Sequence, residues 1–186
     1  MAQNHKPQRE VVMNLRVVIT LTSRAREEVG LGPGVTEIPR DLFRLRPEIA
    51  SVIIPAGVTA IGMSAFERCT SLVSIALPDG VTTIGRGAFR GCTSLVSIAL
   101  PDGVTTIRWF AFQNCTALAS ITLPEGLASI GVGAFMGCTS LASITIPEGV
   151  TTIGGSAFSG CTTLASITLP AGVSSIGWQA LYGCTS

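Results

Sequence analysis

A 23-residue period constrains this 186-residue chain more than any other feature. The segment from Leu77 to Ala99, LPDGVTTIGRGAFRGCTSLVSIA, recurs in unbroken register. Leu77 is answered by Leu100, Leu123, Ile146 and Leu169 downstream, and by Ile54 and Leu31 upstream. One such unit cannot bury its apolar side chains alone, whereas stacked copies seal one another, so the period specifies a solenoid.

The columns created by stacking define the expected core. Phe43, Phe66, Phe89, Phe112, Phe135 and Phe158 share one position, with Leu181 closing the row. Ile38, Ile61, Ile84, Ile107, Ile130, Ile153 and Ile176 form a second column, and Ile49, Leu72, Leu95, Leu118, Leu141 and Leu164 a third. The cysteines Cys69, Cys92, Cys115, Cys138, Cys161 and Cys184 also fall one per repeat. No C-x-x-C pair clusters them as a metal site would, so they read as free buried thiols, packed like small hydrophobes.

Within the Leu77–Ala99 unit, Leu77-Pro78-Asp79-Gly80 reads as a strand end and turn, since Pro fixes φ and Gly permits a positive one. Val81-Thr82-Thr83-Ile84 reads as a short β-branched strand broken by Gly85. Ala88 and Phe89 belong to a short helical or 3₁₀ stretch ending near Gly91, and Cys92-Thr93-Ser94 turns the corner. Leu95-x-x-Ile98-x-Leu100 then supplies the L-x-x-L-x-L core of a leucine-rich repeat.

Residues 1–30 read as an N-terminal tail and capping element, and residues 31–186 as the solenoid. Residues 1–10 are polar, and Val11–Leu21 has the content of one or two strands. Thr22 or Ser23 is placed to cap a short helix over Arg24–Val29, ended by Gly30. Residues 31–53 form a degenerate first repeat, where Pro39, Leu42, Arg46 and Pro47 stand in place of the later Gly, Ala, Cys and Thr. Residues 169–186 form an incomplete last repeat. Leu169, Val173, Ile176 and Leu181 are expected to face water on one side there, which opens a route to end-to-end self-association.

The motif L-P-x-G-V-T-x-I-G-x-x-A-F-x-G-C-T-S-L-x-S-I resembles the BspA-like leucine-rich repeats, the 23-residue type also found in treponemal leucine-rich repeat proteins. The resemblance covers Leu31 to Ser186. It implies a leucine-rich repeat solenoid of the α/β horseshoe type, β-rich and right-handed, with a parallel sheet on the concave side and about six and a half coils. Many such relatives are surface proteins that bind host or matrix components. The expected concave strand displays Ser74, Ala76, Pro78 and their equivalents, a flat and uncharged surface in which Thr122, Thr145 and Thr168 follow Ala76.

Little here supports catalysis. His5 is the only histidine, so a Ser-His-Asp or Cys-His arrangement has no base, and no cofactor or metal site is expected. Asp79, Asp102, Glu125 and Glu148 repeat on turns and read as solvated; a Ca²⁺ site needs oxygens converging from several directions. The formal net charge of +1 gives no general pull toward nucleic acid. No apolar run approaches the roughly 20 residues of a membrane span. With no evident signal peptide, the reading is intracellular, or cell surface if the true N-terminus lies elsewhere.

Candidate binding residues come from the columns that vary freely. One runs Met63, Arg86, Trp109, Val132, Gly155, Trp178; the other runs Glu67, Arg90, Gln113, Met136, Ser159, Tyr182. Columns free of framework constraint are expected to face solvent, and Trp, Arg, Tyr and Met are types enriched at interfaces. The candidates are Met63, Arg86, Arg90, Arg108, Trp109, Phe110, Gln113, Met136, Trp178 and Tyr182. Arg108 and Phe110 flank Trp109 in the one regular repeat that breaks the I-G pattern. The expected role is a non-catalytic protein-interaction or scaffold module. A structural subunit docking by its cap or open end, and a surface adhesin, are the alternatives.

Overall fold

The computed structural model describes residues 17–21, 27–31 and 34–185. The expected tail over residues 1–10 and the N-cap at Thr22 or Ser23 lie outside these. The chain forms a β-solenoid of 23-residue coils. Its strands in order are β1 (Val17–Leu21), β2 (Glu27–Leu31), β3 (Glu37–Ile38), β4 (Ile49–Ile53), β5 (Ala60–Ile61), β6 (Thr83–Ile84) and β7 (Ser97–Ala99). There follow β8 (Thr106–Ile107), β9 (Ser120–Thr122), β10 (Ser129–Ile130), β11 (Ser143–Thr145), β12 (Thr152–Ile153), β13 (Ser166–Thr168) and β14 (Ser175–Ile176).

Each regular coil contributes to two faces. The T-I strands pair in parallel as one seven-stranded sheet, β14-β12-β10-β8-β6-β5-β3. The S-I-A or S-I-T strands pair in shorter runs, β7 with β9 and β11 with β13. In both, the isoleucine of the inner coils points inward and its neighbours outward, as period two requires: Ser97 and Ala99 are exposed while Ile98 is 4% exposed, and only in the last coil is the isoleucine, Ile176, 50% exposed. The chain bends at L-P, so Leu100 and Pro101, and likewise Leu123 and Pro124, are buried together. The expectation that the Pro78 column would be displayed is therefore corrected: Pro78 is half-buried and Pro101, Pro124, Pro147 and Pro170 are buried.

At the N-terminal side, β1 and β2 form an antiparallel hairpin, and β2 lies parallel to β4. The helix expected over Arg24–Val29 does not form across Glu27, Glu28 and Val29, which are strand. Pairing with the open backbone edge of β4 outweighs the local capping signal, as tertiary context commonly does. Among the described residues no helix is present, so the helical half of the α/β horseshoe expectation is replaced by turns. None of them forms a helix long and apolar enough to cross a membrane.

The third side explains that replacement. The N–H groups of Gly87, Phe89 and Gly91 donate to the carbonyls of Trp109, Ala111 and Gln113 in the next coil. Those of Ala88, Arg90 and Cys92 donate three residues back, to Gly85, Gly87 and Phe89. Only alternate amides are free for local turns, so no helix propagates. The alternation needs two left-handed residues per coil. Gly87 (φ 61°) and Gly91 (φ 71°) supply them in coil three, Phe110 (φ 60°) and Asn114 (φ 58°) in coil four. Gly adopts this conformation at little cost, whereas a bulky side chain there is strained by about 1–2 kcal/mol.

The phenylalanines stack along the axis with centroids 5.2–5.5 Å apart. Beside them each cysteine thiol donates to the carbonyl of the Phe one coil back, from Cys69 to Phe43 at 3.0 Å through Cys184 to Phe158 at 3.3 Å. All six thiols are free; five are buried and Cys184 is half-buried. Burial pushes Cys69 and Cys161 up to about 12 from an ordinary value near 9. Desolvation, then the neighbouring thiols, also raise Cys92, Cys115 and Cys138 well above that ordinary value. Because the folded values are the raised ones, the unfolded chain alone loses these protons at first. The thiol contribution to stability is therefore intact below about pH 9 and is lost as pH rises toward 12. Denaturant midpoints measured at pH 7, 9 and 10.5 are expected to fall only above pH 9, and a Cys115→Ala variant is expected to reduce that slope.

The I-G column holds the T-I faces together. A Cβ at Gly85 would lie 2.6 Å from backbone atoms of Gly62 and Met63, and one at Gly154 would lie 2.4 Å from Val132 N. Coil four carries Arg108 at this position. The bonds that join other coils, such as Gly131 N–H to Ile107 O at 2.8 Å and Ala128 N–H to Thr105 O at 2.9 Å, have no counterpart from Arg108 or Thr105 among the described residues. Only Ile84–Ile107 still pair between β6 and β8. The Arg108 Cβ thus wedges coil four off coil three on this face, while the loop side stays bonded. On the opposite face β9 and β11 adjoin without ladder pairing. Arg108→Gly should restore two backbone bonds of about 1 kcal/mol each against about 1 kcal/mol of chain entropy. A net gain of about 1 kcal/mol is expected, read as a higher denaturant midpoint at unchanged slope.

Candidate functional site

The loop side of coils two to five gathers most of the candidate residues. The turn that follows each T-I strand projects one side chain outward just beyond the Gly column, at Met63, Arg86 and Trp109. Four residues further on, the next column places Glu67, Arg90, Gln113 and Met136 in line. Met63, Arg86, Arg90, Phe110, Gln113 and Met136 line a common groove of about 540 Å³. Arg86, Arg108 and Trp109 line an adjoining depression of about 240 Å³. Trp178 and Tyr182, 79% and 66% exposed, belong to the last described coil, three coils beyond Trp109, and join neither.

The electrostatics run along the second column. Glu67 Oε2 lies 3.2 Å from Arg44 Nε, and Glu67 Oε1 lies 3.7 Å from Arg90 Nη1. Asp41 Oδ2 accepts from Arg40 Nε at 3.0 Å. Arg44, Glu67 and Arg90 are 23 residues apart, so alternating charge down one column becomes a ladder of ion pairs. Glu67 is buried with both partners half-exposed, which strengthens the pairing over that of a surface pair. Gln113 is also buried, at 7% exposure, and its amide packs over Met136, 3.9 Å from Sδ. The expectation that this whole column faces solvent is therefore corrected. Glu67 is drawn in by its arginines, and Gln113 is covered by its neighbours.

The first column does face outward. Trp109 is 56% exposed and Met63 is half-buried. The Arg86 guanidinium lies 5.9 Å from the Trp109 ring centroid and 5.6 Å from that of Phe110, within cation–π range. Phe110 covers the next coil: a Cβ on Gly133 would sit 2.6 Å from two of its ring carbons. Reading the columns singly missed Glu67, Arg44 and Asp41 as the groove's charged frame. The opposed signs of Arg44, Glu67 and Arg90 at 23-residue spacing were the signal for the first two, while Asp41 lies in another column. Among the described residues no three His, Cys, Asp or Glu side chains converge as metal ligands. Asp79, Asp102, Glu125 and Glu148 are each exposed on separate turns.

The profile of the BspA type leucine rich repeat region matches the chain in six copies, over residues 36–154 and 129–186. A leucine-rich repeat protein from Bacteroides ovatus is similar in structure, with a TM-score of 0.70 and 36% identity over 95% of this chain and 45% of its own. A leucine-rich repeat protein from T. pallidum is similar at a TM-score of 0.71 and 35% identity, over 95% of this chain and 78% of its own. The chain thus spans under half the length of the Bacteroides protein. No curated protein matches it. The repeat columns, the coil geometry and these matches agree, and the chain belongs to the BspA-type leucine-rich repeat family.

Proposed function

We propose that the chain is a non-catalytic protein-interaction module whose contact surface is the loop side of coils two to five, centred on Trp109. Leucine-rich repeat proteins are generally interaction modules and generally non-catalytic, which sets the class. The observation that carries the location is the departure at Arg108-Trp109-Phe110. Arg108 breaks the Gly column, otherwise fixed among the regular repeats, and the two variable positions after it both carry aromatic side chains. Arg108 opens a backbone ladder, Phe110 occupies a left-handed position, and Trp109 is displayed to water. Arg108 and Phe110 each cost backbone stability, Arg108 through the lost ladder bonds and Phe110 through its left-handed φ, although the Phe110 ring also covers Gly133 of the next coil. Strain concentrated at one exposed aromatic cluster is the pattern of a binding site.

The test is quantitative capture from a lysate of the source cells with three immobilised proteins: wild type, Trp109→Ala and Trp178→Ala. Trp178 is the more exposed indole, so it controls for generic stickiness. Trp109→Ala is expected to lower capture of specific proteins by about tenfold, the scale of a central aromatic contact, with sedimentation unchanged. Unchanged capture by Trp109→Ala would place the surface elsewhere.

A further inference from the structure

We propose that Arg86, packed over the rings of Trp109 and Phe110, receives a carboxylate from an acidic linear segment of the partner protein. This rests on the interaction-module reading and adds the partner's chemistry. A guanidinium that gives its face to aromatic rings keeps its N–H edge for hydrogen bonds in its own plane, the geometry that grips a carboxylate with two parallel bonds. That edge is unused. Among the described residues no acid pairs with Arg86 and no hydrogen bond leaves its side chain, whereas Arg40, Arg44 and Arg90 are engaged by Asp41 and Glu67.

Charge is also segregated around the coil. Five of the seven arginines among the described residues, Arg40, Arg44, Arg68, Arg86 and Arg90, lie on the loop side and outnumber Asp41 and Glu67 there. The regular acidic column, Asp79, Asp102, Glu125 and Glu148, lies on the L-P-x-G turns instead. An acidic chain is therefore drawn to the loop side and repelled from those turns. Arg86 lines both the groove and the depression beside Trp109, so a segment crossing it can set apolar side chains against Met63 or Trp109 on either side. A run of phosphates fits less well. It would have to pass Asp41 and Glu67, which line the same groove, whereas a single carboxylate needs only Arg86, the one groove arginine with no acid partner among the described residues.

Fluorescence anisotropy tests this with three labelled probes. One is a peptide of repeating Glu-Leu-Asp, one its amide counterpart of repeating Gln-Leu-Asn, and one a thymidine oligonucleotide of equal length. The acidic peptide is expected to bind about tenfold more tightly than the amide peptide, the difference made by one bidentate charge-assisted contact. Arg86→Gln should erase that preference without changing the melting temperature. Arg86→Lys should restore only part of it, since an ammonium lacks the planar fork. Equal binding of the two peptides, no binding of either, or an unchanged preference in Arg86→Gln would overturn the proposal. Tighter binding of the oligonucleotide would assign a polyanion surface and overturn it too. If the acidic peptide fails while Trp109→Ala still loses its captured proteins, the module reading stands and the carboxylate chemistry falls.

Discussion

Phe112→Ala is expected to destabilise the solenoid by about 3–5 kcal/mol, the range for removing a fully buried Phe and leaving a cavity. Phe112 has no solvent exposure, and its ring stacks 5.4 Å from Phe89 and 5.5 Å from Phe135 at interplanar angles of 5° and 4°. Neither neighbour can close the gap. Their backbones are pinned by the Phe89 N–H bond to Ala111 O and the Phe135 N–H bond to Ala157 O, each 2.8 Å, and by the thiols of Cys115 and Cys161 on their carbonyls. The offset parallel stack adds a smaller aromatic contribution to the area term. Trp109→Ala is the comparison within the same coil. Its indole is half in water, so its loss is expected to cost well under 1 kcal/mol. Urea denaturation followed by circular dichroism reads both. Equal shifts for the two variants would mean that the phenylalanine column is not what holds the coils together.

Gly154→Ala is expected to cost about 2–4 kcal/mol, through overpacking and the loss of inter-coil hydrogen bonds. The added methyl would meet Val132 N at 2.4 Å and the Gly131 carbonyl carbon at 2.6 Å. Both are backbone atoms, so no rotamer change relieves the clash. Coil six would have to lift off coil five, breaking Gly154 N–H to Ile130 O at 2.7 Å and Thr151 N–H to Ala128 O at 3.0 Å. Arg108 shows the result of such a wedge in the native chain. Gly126→Ala is the control. Its Cβ would approach nothing closer than Asp102 O at 3.6 Å, and its φ is not in the left-handed region. That substitution should be neutral or slightly stabilising, by up to about 1 kcal/mol through the unfolded chain. Thermal melts of the two variants read the contrast.

The core was legible in the sequence because a fixed period leaves each column one environment. Phe112, Ile107, Leu118 and Cys115 are all buried, as their repetition demands. The turn segment was less legible. Ala88 and Phe89 carry helix-compatible residues, but the choice between a helix and a turn ladder depends on where alternate amides find carbonyls, and those lie 23 residues away. The helix expected over Arg24–Val29 fails across Glu27–Val29 for a related reason, since β4 offers Glu27–Leu31 a ladder that local propensity does not register. At the candidate site, Trp109 stands out as a Trp in a freely varying column beside the Arg108 break, and it is exposed. Gln113 was misjudged because variation in a column was taken as exposure. Its neighbours differ in type, yet each still covers the next. The wedge at Arg108 was visible only as a missing glycine; its consequence for β6 and β8 follows from a distance of closest backbone approach that sequence alone does not state.

Amide hydrogen exchange resolved to single residues tests most directly whether coil four surrenders ladder bonds to display the Arg86–Trp109–Phe110 cluster. The amides of Thr105 and Arg108 should exchange at least about a hundredfold faster than those of Thr151 and Gly154, their counterparts two coils on, because only the latter pair have carbonyl partners. Equal protection at all four positions would mean that coil four is zipped as tightly as the rest. The link between the Arg108 wedge and the exposed cluster would then be gone.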